Sequence, residues 1–189
     1  MDIHAVAGSF ALVALSEMGD KTQLLAFSLA ARFKKPVPIL CGILAATILN
    51  HGLASTLGQW VSNRVPSSVM AFILAAMFIG FGIWTLKPDT MEETGDAPKL
   101  GAFLTTTILF FLAEMGDKTQ LATVALAARY HSVFNVTIGT TAGMMLTDGL
   151  AVLLGDRLAG AASMKWIRWI AAGLFLLFGV ISLIAGLKA

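Results

Sequence analysis

Apolar residues run along this chain in six long stretches, separated by short polar connections. A helix that spans a bilayer needs about 20 mostly apolar residues. The pattern predicts such helices over residues 3–31, 37–61, 69–86, 100–128, 133–158 and 166–187. Pro36, Pro66, Pro88 and Pro98 all fall in the connections, where proline punctuates helices best. Ser67 or Ser68, directly after Pro66, is expected to cap the third helix.

One polar octet interrupts this pattern twice. EMGDKTQL stands at residues 17–24 and again at 114–121, inside the first and fourth apolar stretches. At the resulting offset of 97, 13 of the 19 residues in 14–32 are identical to those in 111–129. The same offset pairs Gly42 with Gly139, Gly52 with Gly149 and Gly58 with Gly155. In the third helices it pairs Phe78 with Phe175, Phe81 with Phe178 and Gly82 with Gly179. A fixed internal period defines architecture before any local detail does. The expected fold is an all-α integral membrane protein of six transmembrane helices in two three-helix repeats, residues 1–86 and 100–189, joined by an acidic linker at 87–99. Three crossings per unit is an odd number, so the second repeat starts on the opposite side and the two are inverted.

Composition agrees. Hydrophobic residues make up 57% of the chain and charged residues 13%, against about 25% charged in soluble domains, and mean hydropathy is +0.82. A net charge of +2, with basic residues at segment ends rather than in a patch, argues against nucleic acid. The single cysteine, Cys41, excludes an intrachain disulfide, and no Cys/His spacing suggests zinc. The N-terminus lacks the positive region of a signal peptide, so the first stretch is expected to be retained as a span in a bacterial inner membrane. Loops one, three and five hold eight basic residues (Arg32, Lys34, Lys35, Lys87, Lys99, Arg157, Lys165 and Arg168), and the other side holds three (Arg64, Arg129 and Lys188). The positive-inside rule then places both termini outside and the 87–99 loop, with Asp89, Glu92, Glu93 and Asp96, in the cytoplasm.

The octets carry the candidate chemistry. A charged residue at the centre of a membrane helix costs roughly 2.5–3.5 kcal/mol. Glu17, Asp20, Lys21, Glu114, Asp117 and Lys118 therefore need a protein interior and partners. On a regular helix Glu17, Asp20 and Lys21 share an arc of about 100°, Gln23 lies at its edge, and Thr22 points nearly opposite. The segments 3–32 and 100–129 are 30 residues each, about 45 Å as unbroken helix against a core of about 30 Å. Tilt would absorb the excess, and so would a break at Gly19 and Gly116, where glycine loosens the helix. Broken helices at the midplane of inverted repeats bind ions in many secondary transporters.

Two carboxylates and one ammonium per octet give the pair a net charge of −2, which a divalent cation neutralises. Hard oxygen donors suit Mg²⁺, Ca²⁺ and Mn²⁺, and the same carboxylates hold protons when the metal is absent. Exchange of M²⁺ for H⁺ follows as the mechanistic expectation, with Glu17, Asp20, Glu114 and Asp117 as metal ligands. Lys21, Thr22, Gln23, Lys118, Thr119 and Gln120 are secondary candidates. Asn50-His51 aligns with Thr147-Asp148 one helix on, so Asn50 and Asp148 can complete or gate the site; His51 is the weaker candidate. The competing structural reading pairs Glu17 with Lys21 and Glu114 with Lys118 at i,i+4, leaving Asp20 and Asp117 unpaired. Met18 and Met115 offer soft sulfur but point away from the glutamates on an intact helix. Gly42-x₃-Ala46 and Gly139-x₃-Gly143 read as close helix contacts. His4 and His131, with Trp60, Trp84, Trp166 and Trp169, read as interfacial residues. No Ser/His/Asp or paired-His pattern suggests an enzyme.

The two Glu-x-Gly-Asp-Lys-Thr motifs, one per three-helix unit, resemble those of the Golgi and chloroplast calcium/manganese transporters and the related bacterial manganese exporters. The resemblance covers essentially the whole chain. It implies cation/proton antiport, with Glu17, Asp20, Glu114 and Asp117 at the ion site and Lys21, Thr22, Lys118 and Thr119 completing the motifs. In so compact a chain the bacterial branch fits best, which implies Mn²⁺ export. Ca²⁺/H⁺ exchange at the same site is the alternative, and a non-transporting scaffold held by buried ion pairs is the alternative of another class. Metal and direction come from the resemblance, and oligomeric state is not legible.

Overall fold

The computed structural model describes residues 1–87, 100–154 and 164–188. They form eight helices and, among the described residues, no strand: α1 (Ile3–Glu17), α2 (Lys21–Phe33), α3 (Pro36–Ser62), α4 (Ser67–Thr85), α5 (Gly101–Glu114), α6 (Lys118–Tyr130), α7 (Val133–Leu154) and α8 (Met164–Lys188). Helices α3, α4 and α7 and the last 20 residues of α8 are long and apolar enough to cross a membrane, which makes this a multi-pass membrane protein. The expected linker beyond residue 87, its acidic residues and Lys99, the end of the fifth apolar stretch with Gly155 and Arg157, and the side chains of Lys165 and Arg168 lie outside the description.

The first and fourth apolar stretches are each two helices. Gly19 has φ +82° and Gly116 φ +76°, a region that only glycine enters without strain. Each break sits one residue before an aspartate that starts the next helix. Asp20 Oδ1 accepts from the N–H of Lys21 at 2.6 Å, and Asp117 Oδ2 accepts from that of Thr119 at 3.3 Å, which satisfies donors a helix start otherwise leaves orphaned. The expected serine cap of α4 is not formed. Pro66 occupies the cap position with no side-chain hydrogen bond, because Ser67 is already the first helical residue.

Packing follows the offset of 97. A Cβ on Gly42 of α3 would meet the carbonyl of Phe103 in α5 at 2.8 Å, and one on Gly139 of α7 would meet that of Val6 in α1 at 2.5 Å. The α4–α8 pair shows the same correspondence. A Cβ on Gly82 would lie 3.0 Å from Leu176, and one on Gly179 would lie 2.7 Å from Ile79. Phe78 meets Phe178 at 5.5 Å between ring centroids, and Phe81 meets Phe175 at 5.9 Å. Backbones this close depend on small residues at the contact. Trp60, Trp84, Trp166 and Trp169 are all exposed, and Arg64 lies over the Trp60 ring at 3.9 Å.

Candidate functional site

Two chain breaks bring the octets together in the interior. Glu17 ends α1 and Asp20 starts α2, while Glu114 ends α5 and Asp117 starts α6; all four are buried. Glu17, Asp20 and Asp117 each present a carboxylate oxygen within 4.8 Å of the others. Oxygens around a cation at about 2.3–2.6 Å lie at most about 5 Å apart, so this spacing suits one shared ion. Glu114 stands outside that trio, buried, with neither oxygen hydrogen-bonded among the described residues.

Lysines cross between the octets. Lys21 Nζ lies 2.9 Å from Asp117 Oδ1, and Lys118 Nζ lies 2.7 Å from Asp20 Oδ2. This differs from the competing i,i+4 reading: each lysine forms an ion pair with the other octet's aspartate. The break is the reason. Three non-helical residues separate Glu17 from Lys21, so the turn that would have stacked them is missing.

The same reset moves the threonine. Thr22, expected to point away, is buried and donates to Glu17 Oε2 at 2.7 Å. Thr119 of the other octet donates to Glu17 Oε1. Glu17 thereby receives a hydroxyl from each octet, and Glu114 receives neither. Both glutamines brace their breaks. Gln23 accepts from the N–H of Gly19 at 2.9 Å and donates to the Thr147 carbonyl at 3.3 Å. Gln120 accepts from the N–H of Gly116 at 2.8 Å and donates to Asn50 Oδ1 at 3.3 Å. Asn50 in turn donates to the carbonyl of Phe111 at 3.1 Å, near the end of α5. Glutamine is therefore a staple of the broken helix, a role that wheel geometry on an intact helix did not reveal.

The remaining candidates divide. Asp148 and His51, mates at the offset of 97, are both fully buried, and none of their side-chain polar atoms has a hydrogen-bond partner among the described residues. Met18 and Met115 sit at the breaks, and Met115 is exposed. His4 and His131 are exposed. The groups at the trio are carboxylates, hydroxyls and ammoniums, and carboxylates of this kind can hold a hard cation or protons.

Known proteins match the chain along nearly its whole length. The family model described as "Divalent cation/proton antiporter GDT1" matches residues 5–93 and again 102–189. The chain is 41% identical to the "Putative manganese exporter" of Vibrio cholerae serotype O1 over 179 residues, covering 94% of this chain and 90% of that one. It is 31% identical to a "GDT1-like protein" of Synechocystis sp., covering 95% and 97%. It is 29% identical to "GDT1-like protein 4" of Arabidopsis thaliana, covering 96% of each. No solved structure matches the chain.

Proposed function

The chain belongs to the GDT1 family of divalent cation/proton antiporters, a transporter family and not an enzyme family, and from that premise we propose that it exports Mn²⁺ in exchange for protons. The observation that carries the reading is the carboxylate trio built from both octets, with each aspartate held by the other octet's lysine. In this reading Glu17, Asp20 and Asp117 are the metal ligands and Glu114 joins them as the site rearranges. The ammonium groups of Lys21 and Lys118 occupy the aspartates until a divalent cation displaces them. Thr22 and Thr119 orient Glu17, while Gln23, Gln120 and Asn50 hold the half-helices apart. Asp148 completes the acidic lining. A buried carboxylate without a partner is costly as an anion, so protons replace the metal on the return step.

The α1–α2 and α5–α6 pairs are broken spans in this proposal. With α3, α4, α7 and α8 they make six crossings in two inverted repeats, 1–86 and 100–189. Both termini lie outside and the 87–99 loop lies in the cytoplasm of a bacterial inner membrane, in the orientation that the basic residues favour.

Flux in reconstituted vesicles tests the reading. Wild-type protein moves Mn²⁺ against a counterflow of protons, while Glu17→Gln and Glu114→Gln lose at least tenfold. Because protons and metal compete for the same oxygens, Mn²⁺ binding weakens as pH falls on the binding side. Normal flux in Glu17→Gln removes the octets from the site. Ca²⁺ flux that outcompetes Mn²⁺ makes the protein a Ca²⁺/H⁺ exchanger, which the all-oxygen donor set also accommodates. Absence of any flux in wild type leaves a scaffold.

A further inference from the structure

The α4–α8 pair is internally symmetric but docked on one end of the molecule. Its aromatic and glycine contacts repeat at the offset of 97, so each helix sees the other in the same way. Its surroundings do not repeat. Helix α8 packs on α1 and α4 packs on α6, and among the described residues neither packs comparably on α5 or α2, the mates of those partners. The buried cluster around Phe78 and Phe175 draws on Leu12 of α1 and Ala122, Ala125 and Leu126 of α6.

One arginine bridges α6 and α8 at the docked end. Arg129 of α6 donates to Ser182 Oγ of α8 at 2.9 Å, and its guanidinium lies 5.2 Å from the centroid of the Phe178 ring. Beside it, the Tyr130 hydroxyl would be 2.7 Å from a Cβ on Gly8 of α1. At the offset of 97 the mates of Arg129 and Ser182 are Arg32 and Thr85. Arg32 is exposed, and Thr85 is buried with its hydroxyl unpartnered among the described residues. Local conformation does not cause the difference. Arg32 lies over the Phe33 ring at 5.6 Å and Arg129 over Tyr130 at 5.9 Å, and both helices end in the left-handed region, Lys34 at φ 52° and His131 at φ 50°.

We infer that Arg129–Ser182 and Arg32–Thr85 are alternate latches of the transport cycle, closed one at a time as the α4–α8 pair rocks as a body between the two ends. The inference rests on the alternating-access reading above. A buried hydroxyl without a partner is destabilising, and closure of the second latch supplies the missing partner as the first one opens. In the proposed orientation the outer latch, Arg129–Ser182, is made and the cytoplasmic one, Arg32–Thr85, is not. Two packings that differ by a rigid-body shift, each locked by a few contacts, are the usual form of such transitions.

Paired cysteines in a Cys41→Ser background test this in reconstituted vesicles, with a short reducible bifunctional thiol reagent. A cavity of about 350 Å³ lined by Ser62, Ser67, Arg129, Tyr130 and Ser182 gives the reagent access to the closed latch. Arg129→Cys/Ser182→Cys cross-links in the resting protein, Mn²⁺ flux falls at least tenfold, and reduction restores it. Arg32→Cys/Thr85→Cys cross-links only during turnover with Mn²⁺ and a proton gradient, with the same reversible loss. If the second pair fails to cross-link in protein that transports, or cross-links without blocking flux, the latch exchange is wrong while the antiport reading stands. If the Cys41→Ser parent shows no flux, the antiport reading itself fails.

Discussion

Helices α2 and α6 begin with the same KTQL and end with ARF and ARY, yet they occupy different surroundings. Ala125 is fully buried in α6 and its mate Ser28 in α2 is exposed; Ala128 is buried and Ala31 exposed. The lysine of α6 is 4% exposed in its ion pair and that of α2 is 29% exposed. Nearly identical segments carry the same cap, the same left-handed end and the same cross-octet salt bridge. Among the described residues the α4–α8 pair packs on α6 and not comparably on α2, and α3 packs on α6 more closely than α7 does on α2. Local structure here belongs to the sequence of each helix, and burial belongs to what docks on it.

The largest effect that can break this comparison is at the aspartates. Asp20→Asn keeps a capping oxygen but severs the buried ion pair with Lys118, a loss of up to about 3–5 kcal/mol. Asp117→Asn exposes the better-solvated Lys21, where the screened pair is worth about 1 kcal/mol or less. Thermal unfolding in detergent should therefore show a much larger drop for Asp20→Asn. Equal drops would mean that the two ends are equally closed.

Intermediate effects come from volume. Ala125→Leu forces three heavy atoms into a filled contact and costs about 1–3 kcal/mol, whereas Ser28→Leu stays within about 0.5 kcal/mol. Denaturation of the two variants under one set of conditions measures the difference, and equal tolerance would contradict the asymmetric docking. Gly42→Ala and Gly139→Ala probe contacts that do repeat, so both should destabilise by about 1–3 kcal/mol and by similar amounts. The smallest effect is expected at Gly52→Ala and Gly149→Ala. An added Cβ there meets nothing within 4 Å and Leu40 at 3.6 Å, respectively, so melting temperatures should barely move.

Much of this was legible in the chain. The octets, their spacing and Gly19 and Gly116 marked the interior charges and the place where each helix could break. Legibility failed where the reasoning assumed a continuous helix. Thr22 was directed away from the carboxylates, and the competing structural reading matched Lys21 with Glu17, because a wheel carries its 100° step through residues that are not helical. Once Gly19 takes φ +82°, the register of everything after it is reset. The staple role of Gln23 and Gln120 was hidden for the same reason.

Sequence by itself determined the repeat, the multi-pass membrane character and the identity of the buried charged groups, since hydropathy, offset and charge are properties of the chain that need no contact. Only the tertiary structure decided which lysine meets which aspartate, that both threonines serve Glu17 rather than Glu114, and which of the two half-helices α4 and α8 pack on. Two nearly equivalent halves offer each group two partners of the same type. The lysine pairing is symmetric and follows from the two breaks, whereas the unequal burial of α6 and α2 accompanies the docking of α4 and α8, which no local preference in either half encodes.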